Sequence, residues 1–302
     1  MKKSRTGIAL LFVAFLVVCF VVVVVLLSVV SETEPETSSW AEVFDFGNKI
    51  GVINLEGTLT SSDETLKQLR KFQKKASVKA VILRINSPGG TVAPAQEIYR
   101  EVNRIKKKKP VVASLETVAA SAAYYIASSA DDIVCSRGTI TGSIGVIMML
   151  PDIHKVIEKI GVGVNVIKAG KYKDIGSGVR PLTEEEKNIL EGFAAEIHEQ
   201  FISDVAEGRK GKIEKENLRA IADGRFFSGE KAKEMGLVDT IGNFYDAVAM
   251  AKKLARVKGD PELVYPKKKW EYLDLFTESA IDAIHRVADR VRLVQPELPS
   301  IR

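Results

Sequence analysis

Residues 80–107 read AVILRINSPGGTVAPAQEIYREVNRIKK. An unbroken apolar run, Ala80–Ile85, leads into Asn86-Ser87-Pro88-Gly89-Gly90. A pattern with helical spacing then runs from about Ala93 to Lys107. A short apolar run bounded by turn residues is the signature of a strand covered on both faces, and a helix directly after it is half of a parallel crossover. The same alternation extends in both directions. Ile50–Leu55 reads as a strand and Ser61–Lys75 as a helix, capped by Ser62 or Asp63. Pro110–Leu115 reads as a strand followed by a helix. Ile133–Cys135, Ile144–Met149 and Val164–Ile167 are further strand candidates. The expected fold class is α/β, with a largely parallel sheet covered by helices.

Thr117–Val134 reads TVAASAAYYIASSADDIV. Ser121 stands among small residues at the start of the helical segment. It could serve as an N-cap, or as a nucleophile where backbone N–H groups bind an oxyanion. Gly89 and Gly90 admit two readings as well. A pair of glycines after a strand exposes N–H groups with no side chain in the way, and it also makes a plain tight turn. A third loop, Thr139-Ile140-Thr141-Gly142-Ser143-Ile144-Gly145, is rich in hydroxyls and glycine. Serine needs a base, and none of the three histidines, His154, His198 and His285, stands in a loop suited to that task; they read as solvated surface residues. Lysines remain, in IKAGKYKDIGSG: Lys168, Lys171 and Lys173. A lysine base must be neutral, and moving an amine from about 10.4 to ~7 takes about 4–5 kcal/mol of destabilisation of the charged form.

The N-terminus has a different character. Ile8–Val30 carries no charge across 23 residues. At about 1.5 Å per residue that is enough to cross a ~30 Å hydrocarbon core. Lys2, Lys3 and Arg5 precede it, and Glu32, Glu34 and Glu36 follow. This predicts a single-pass anchor with its N-terminus cytoplasmic and the rest of the chain on the extracytoplasmic side. The run is too long for a cleaved signal peptide and ends without a small-x-small site. The expected organisation is a stub and anchor over 1–30, a polar linker over 31–48, a folded domain over 49–265 and a tail over 266–302. In the tail, Leu273, Phe276, Ala280, Ile284, Val287 and Val291 form one apolar helix stripe.

The net charge is +5, from 44 Lys and Arg against 39 Asp and Glu. Three of the basic residues belong to the stub, so the remainder is nearly neutral and offers nothing for nucleic acid. Cys19 falls in the apolar run and Cys135 far from it, so no disulfide is expected. No histidine or cysteine has metal-ligand spacing, and neither a metal nor a cofactor is expected. Thr183–Glu186, TEEE, reads as a capping box opening a long helix. Lys106–Lys109 reads as a solvated helix end.

SPGG, AASAAYYIAS, TGSIGVI, KAGKYKDIGS, EEKNIL and IADGRFFSGEKAKEMGLVD follow one another in a single order. Together they resemble the short, single-domain form of the signal peptide peptidase A family of serine–lysine peptidases, over roughly Lys49–Leu254. The resemblance implies a Clp-protease/crotonase-like fold. It also implies Ser121 as nucleophile, Lys173 as general base and Ser143 as the hydroxyl holding that lysine. Gly89 or Gly90, with the N–H of Ala122, would form the oxyanion hole. A glycine often follows the serine in that family, and Ala122 takes its place here. The family further implies a homo-octamer with Ser and Lys contributed by neighbouring subunits, and remnant signal peptides as substrates. Two alternatives are weighed against this: a catalytically silent, ring-forming membrane scaffold and a crotonase-like acyl-transfer enzyme. Retention of both Ser121 and Lys173 argues against the first, and an exported location without CoA against the second.

Overall fold

The computed structural model describes residues 47–266 and the single residue Phe20. Among the described residues no helix is long and apolar enough to cross a membrane. The remainder of the apolar run Ile8–Val30 and the stripe in 266–302 lie outside the described residues.

The strands and helices alternate as expected. β1 (Lys49–Glu56), α1 (Asp63–Lys74), β2 (Val78–Ser87), α2 (Val92–Ile105) and β3 (Val111–Ala120) build the first crossovers. α3 (Ala122–Ser128), β4 (Asp132–Cys135) and β5 (Ile140–Gly142) follow. After a short α4 (His154–Lys159) comes the long α5 (Glu184–Gly208), then α6 (Lys215–Ile221), β6 (Phe226–Ser228) and α7 (Gly229–Glu234). β7 (Thr240–Ile241), α8 (Phe244–Leu254) and β8 (Glu262–Val264) complete the set. One eight-stranded sheet runs β6-β5-β3-β2-β1-β8, with β4 and β7 branching from β3. Every pairing is parallel except β5 with β6.

Both faces of the sheet are covered, which is why its strands read as continuous apolar runs. Val81, Leu83 and Ile85 of β2 enter a large cluster with α1, α2, α3 and α5. Ala80 and Ile82 point the other way, against Ala247 and Ala251 of α8. β3 is ten residues long and forks. Val112–Leu115 pairs with β4, and Val118–Ala120 pairs with β5. The fork leaves the last residues of β3 beside a different neighbour from the first, and Ser121 comes next.

Several expectations require correction. Ile144–Met149 forms no strand; the strand is Ile140–Gly142, and Ile147 and Met149 stand 78% and 82% exposed. Val164–Ile167 is not a strand either, and Ile167 is fully exposed. Past the buried Ile144, the apolar residues Ile147, Met149 and Ile167 face outward. Lys106 and Lys109 are not merely solvated. Lys106 Nζ donates to Ser129 O (2.9 Å), and Lys109 Nζ donates to Phe72 O and Lys75 O (2.6 Å each) at the C-terminus of α1. Burial, with a smaller contribution from the charge of Lys79, pulls the Lys109 amine down to about 8. Ser62 sits at the N-cap of α1 without capping it, its hydroxyl donating instead to Glu97. The capping box of Thr183 and Glu186 is present as expected.

The far end of the domain is pinned by a buried ion pair. Arg209, 1% exposed, donates from Nη1 and Nη2 to Asp239 (2.7 and 2.9 Å), and from Nε and Nη2 to Gly236 O. Burial alone would raise the Asp239 carboxyl. Arg209 foremost, then Lys212 and the N–H of Ile133, outweigh that and hold it below the usual carboxylate range. Arg209→Ala should lower the unfolding free energy by about 1.5–3 kcal/mol, because it removes the guanidinium bonds to a buried carboxylate that then keeps only Lys212 and the Ile133 N–H. Urea denaturation at pH 7 measures this.

Candidate active site

Ser121 joins β3 to α3 in an unusual backbone conformation, φ 54° and ψ −125°. Such geometry in a non-glycine residue persists only where its surroundings fix it. Here they do. The Ser121 N–H donates to Gly142 O (2.9 Å), and its carbonyl accepts from Tyr125 N–H (2.9 Å). α3 behind it is buried at every position, which is what the alanines of this segment allow. The hydroxyl makes no capping bond, so the N-cap reading fails for this residue. Its side chain is partly exposed, at the turn between strand and helix.

Ser143 occupies the matching position on the next strand. Ala120 pairs with Gly142 in register, so Ser121 and Ser143 follow two partnered residues at adjacent strand ends. Ser143 also has a positive φ, 53°, and its N–H donates to Arg225 O (2.8 Å). Two serines thus follow adjacent strand ends.

The Asn86–Gly90 loop closes over the same point. A Cβ on Gly89, whose φ is 110°, would lie 2.8 Å from both Ser121 Cβ and Ala120 O and 3.0 Å from Ala122 N. Only glycine permits this approach. The backbone hydrogen bonds separate the two glycines. Gly89 N–H donates to Ser87 Oγ (3.1 Å), and Gly89 O accepts from Leu59 N–H (2.9 Å). Among the described residues no hydrogen bond takes up the N–H of Gly90 or that of Ala122. Gly90, Ser121 and Ala122 line one small, mostly apolar cavity with Val92, Ala95, Tyr125, Val146, Ile197 and Phe201. The Tyr125 ring stacks on Phe201 (4.6 Å) and meets Tyr99 edge-on (5.4 Å), and its hydroxyl bonds to Asp204. Burial, then that bond, keeps the phenol protonated far above its usual range.

Lys173 does not line the cavity beside Ser121. It sits in a turn on the segment between β5 and α5, its side chain exposed. Its N–H donates to Gly170 O (3.2 Å). Among the described residues no hydrogen bond or ion pair engages its ammonium. Lys168 and Lys171, the other two candidates, are engaged: Lys168 with Asp174, Lys171 with Glu185 (2.5 Å). Lys173 alone of the three presents an uncommitted amine. Sequence reasoning set His198 aside as a surface residue, yet its ring nitrogen Nε2 lies 3.3 Å from Ile144 O, beside the Ser143 loop. Its one visible signal was its place next to Ile197 on α5. Among the described residues no group of side chains could hold a metal ion.

The model of peptidase family S49 matches residues 103–258, which include Ser121, Ser143 and Lys173. The chain belongs to peptidase family S49. A Clp protease family model matches residues 38–141, the part holding the first crossovers and Ser121. The S49 chain is 45% identical over 196 residues to a protein of Methanocaldococcus jannaschii that carries a provisional protease name, covering 65% of this chain and 62% of that one. A Synechocystis protein, also provisionally named a protease, is 42% identical over 72% of this chain and 77% of its own length. The chloroplastic serine protease SPPA of Arabidopsis thaliana is 34% identical over 68% of this chain and 30% of its own. The S49 chain therefore spans from under a third to about three quarters of these relatives.

Both glycines of the loop are closed to a Cβ, Gly90 by Leu59 O at 2.1 Å and Gly89 by Ser121 itself, and Gly89 also has a φ of 110°. Gly89→Ala should reduce peptide hydrolysis by about 100-fold or more, since misplacement of a reacting group by about 1 Å costs that much. Steady-state assay beside far-ultraviolet circular dichroism checks the loss against retained secondary structure.

Proposed function

We propose that this S49 chain is a membrane-anchored serine endopeptidase that uses a Ser121–Lys173 dyad to cleave remnant signal peptides or other short apolar peptides. The observation that carries this reading is the strained turn at Ser121, flanked by Ser143 and by two unclaimed N–H groups.

The steps follow from what each group can do. Ser121 Oγ attacks the peptide carbonyl while Lys173 takes its proton. The N–H groups of Gly90 and Ala122 donate to the developing oxyanion, and Gly90 is preferred over Gly89 because the Gly89 N–H is already bonded to Ser87. Such donors, aimed where charge develops, are worth about 3–4 kcal/mol each in related chemistry. Lys173 returns the proton to the leaving amine, and water resolves the acyl-enzyme. Ser143 accepts a hydrogen bond from Lys173 and holds it. Ala122 retains the N–H that this role needs. The small apolar cavity beside Ser121 supports a preference for small apolar side chains.

Lys173 reaches Ser121 from a neighbouring copy. Its exposed, uncommitted amine supports this, as do apolar residues earlier on the same segment: Ile147, Met149, Ile160 and Ile167 are each 67–100% exposed. Exposed apolar side chains gathered on one segment in this way suit an interface. A homo-octameric ring with shared sites would cover it, and burial there would strip water from the amine. The apolar run Ile8–Val30, with basic residues before it and acidic ones after, supports an anchor that holds the site outside the membrane near membrane-released peptides.

Ser121→Ala and Lys173→Ala should each lower kcat by about 10⁴-fold or more. Retained peptide hydrolysis by either variant of the full chain would remove that residue from the mechanism. When the two inactive variants are mixed and their subunits exchange, activity should return, because some sites then pair an intact serine with an intact lysine. Mixed oligomers without recovery would place the dyad within one chain. kcat/KM should climb with pH between about 6 and 9, since an amine must lose its proton before it can accept one; a flat profile would contradict an amine base.

A further inference from the structure

From Gly145 to Glu185 no residue is buried. Hydrophobic packing therefore does little to fix the turn that carries Lys173, although a base must be placed within a fraction of an ångström to work. The turn is fixed in another way. Immediately before Lys173, Lys171 Nζ and the Tyr172 hydroxyl both bond to Glu185. Immediately after it, Asp174 accepts from Lys168 and from Arg180. Lys173 itself is left projecting between two tethered neighbours.

Arg180 is the hub of this arrangement. A guanidinium has five N–H donors in one plane, and Arg180 uses all five. Nε and Nη2 donate to the two oxygens of Asp174 (2.9 Å each). Nη2 and Nη1 donate to the two oxygens of Glu186 (2.5 and 2.8 Å), and Nη1 also to Pro181 O (3.1 Å). Glu186 is a fixed anchor. It is 3% exposed, and as the third residue of α5 it accepts from Thr183 N–H (3.0 Å) in the capping box. The side chains of Asp174 and Glu186 are only 10% and 4% exposed. This is a bidentate bridge on both sides of one cation, unlike an isolated surface pair, which contributes little.

We propose that Arg180 is a positioning residue for catalysis: by bridging Asp174 to Glu186 it ties the Lys173 turn to the first turn of α5 and sets where the amine is presented. The proposal rests on the reading of Lys173 as the base. The donors of Arg180 are all taken by Asp174, Glu186 and Pro181 O, so it acts through Lys173 and not on the reacting atoms. Its hydrogen bonds, foremost among the causes, hold Glu186 down at about 2 and Asp174 well below the usual carboxylate range. Both carboxylates gain their partners above their unfolded values and lose them only as pH falls through the lowered ones. The bridge is thus intact throughout the neutral and alkaline range in which an amine base operates.

The test compares Arg180→Ala, Arg180→Lys and Lys173→Ala in the full chain, by peptide hydrolysis and by oligomer mass in light scattering. Arg180→Ala should assemble normally, keep KM within about threefold and lose about 100-fold in kcat. Arg180→Lys should lose nearly as much, because an ammonium is a point charge that cannot bridge two carboxylates in one plane. Guanidinium chloride at about 20 mM should restore kcat of Arg180→Ala by about tenfold and leave Lys173→Ala inactive. A structural role alone would not produce that rescue. Arg180→Ala with kcat near wild type beside an inactive Lys173→Ala overturns the proposal and leaves the dyad standing. An assembled but inactive Arg180→Ala that guanidinium does not restore also overturns it. An active Lys173→Ala means instead that the dyad reading has failed. Should Arg180→Ala not fold, the isosteric Asp174→Asn decides: a loss in kcat at constant KM supports the bridge, and wild-type turnover overturns it.

Discussion

A serine held at φ 54° is the constraint on which the rest of this domain depends. Such a backbone costs about 1–3 kcal/mol, and the surrounding structure must over-determine it. The N–H of Ser121 is bound by Gly142 across the β3–β5 pairing, and its carbonyl by Tyr125 one turn along α3. Gly89 presses on it from the next loop at a distance that leaves no room for a Cβ. Remove the fork in β3 and no strand would be present to supply the Gly142 carbonyl.

Two kinds of force divide the work. Dense apolar packing fixes the serine side, where β2, β3 and α3 contribute residues with almost no exposed surface. Charge fixes the lysine side, where no residue between Gly145 and Glu185 is buried and the turn hangs on carboxylates of α5. The two sides therefore differ in how they respond to solvent. Salt and acid act on the second and leave the first nearly untouched. A segment built this way can also be offered to a neighbour, since its apolar side chains are not already spent in its own core.

The α/β class and the order of the crossovers were legible in the sequence because strands covered on both faces are written as continuous apolar runs. The capping box at Thr183 was legible because it depends on residues three apart. Ile144–Met149 and Val164–Ile167 misled for the same reason that the others succeeded: an apolar run states that a surface must be covered, without stating by what. Lys106 and Lys109 looked like a solvated cluster because their partners are main-chain carbonyls of α1 and of the turn after α3, which carry no sequence signature. His198 was passed over because its partner, the Ile144 carbonyl, is 54 residues away. The choice between Gly89 and Gly90 could not be read from composition, since it turns on where the Ser87 hydroxyl points.

One contact behind the site has a bearing on when the site can exist. The fully buried Tyr124, next but two after Ser121, donates its hydroxyl to Leu237 O, and Arg209 clamps the same stretch through Gly236 and Asp239. A buried donor without its acceptor is costly, so α3 is completed only once the chain has been made past Asp239. During synthesis Ser121 emerges more than a hundred residues earlier. The nascent protein thus carries an unfinished turn at Ser121 while it is still attached to the ribosome, and the fold behind that turn closes only when nearly the whole domain has emerged.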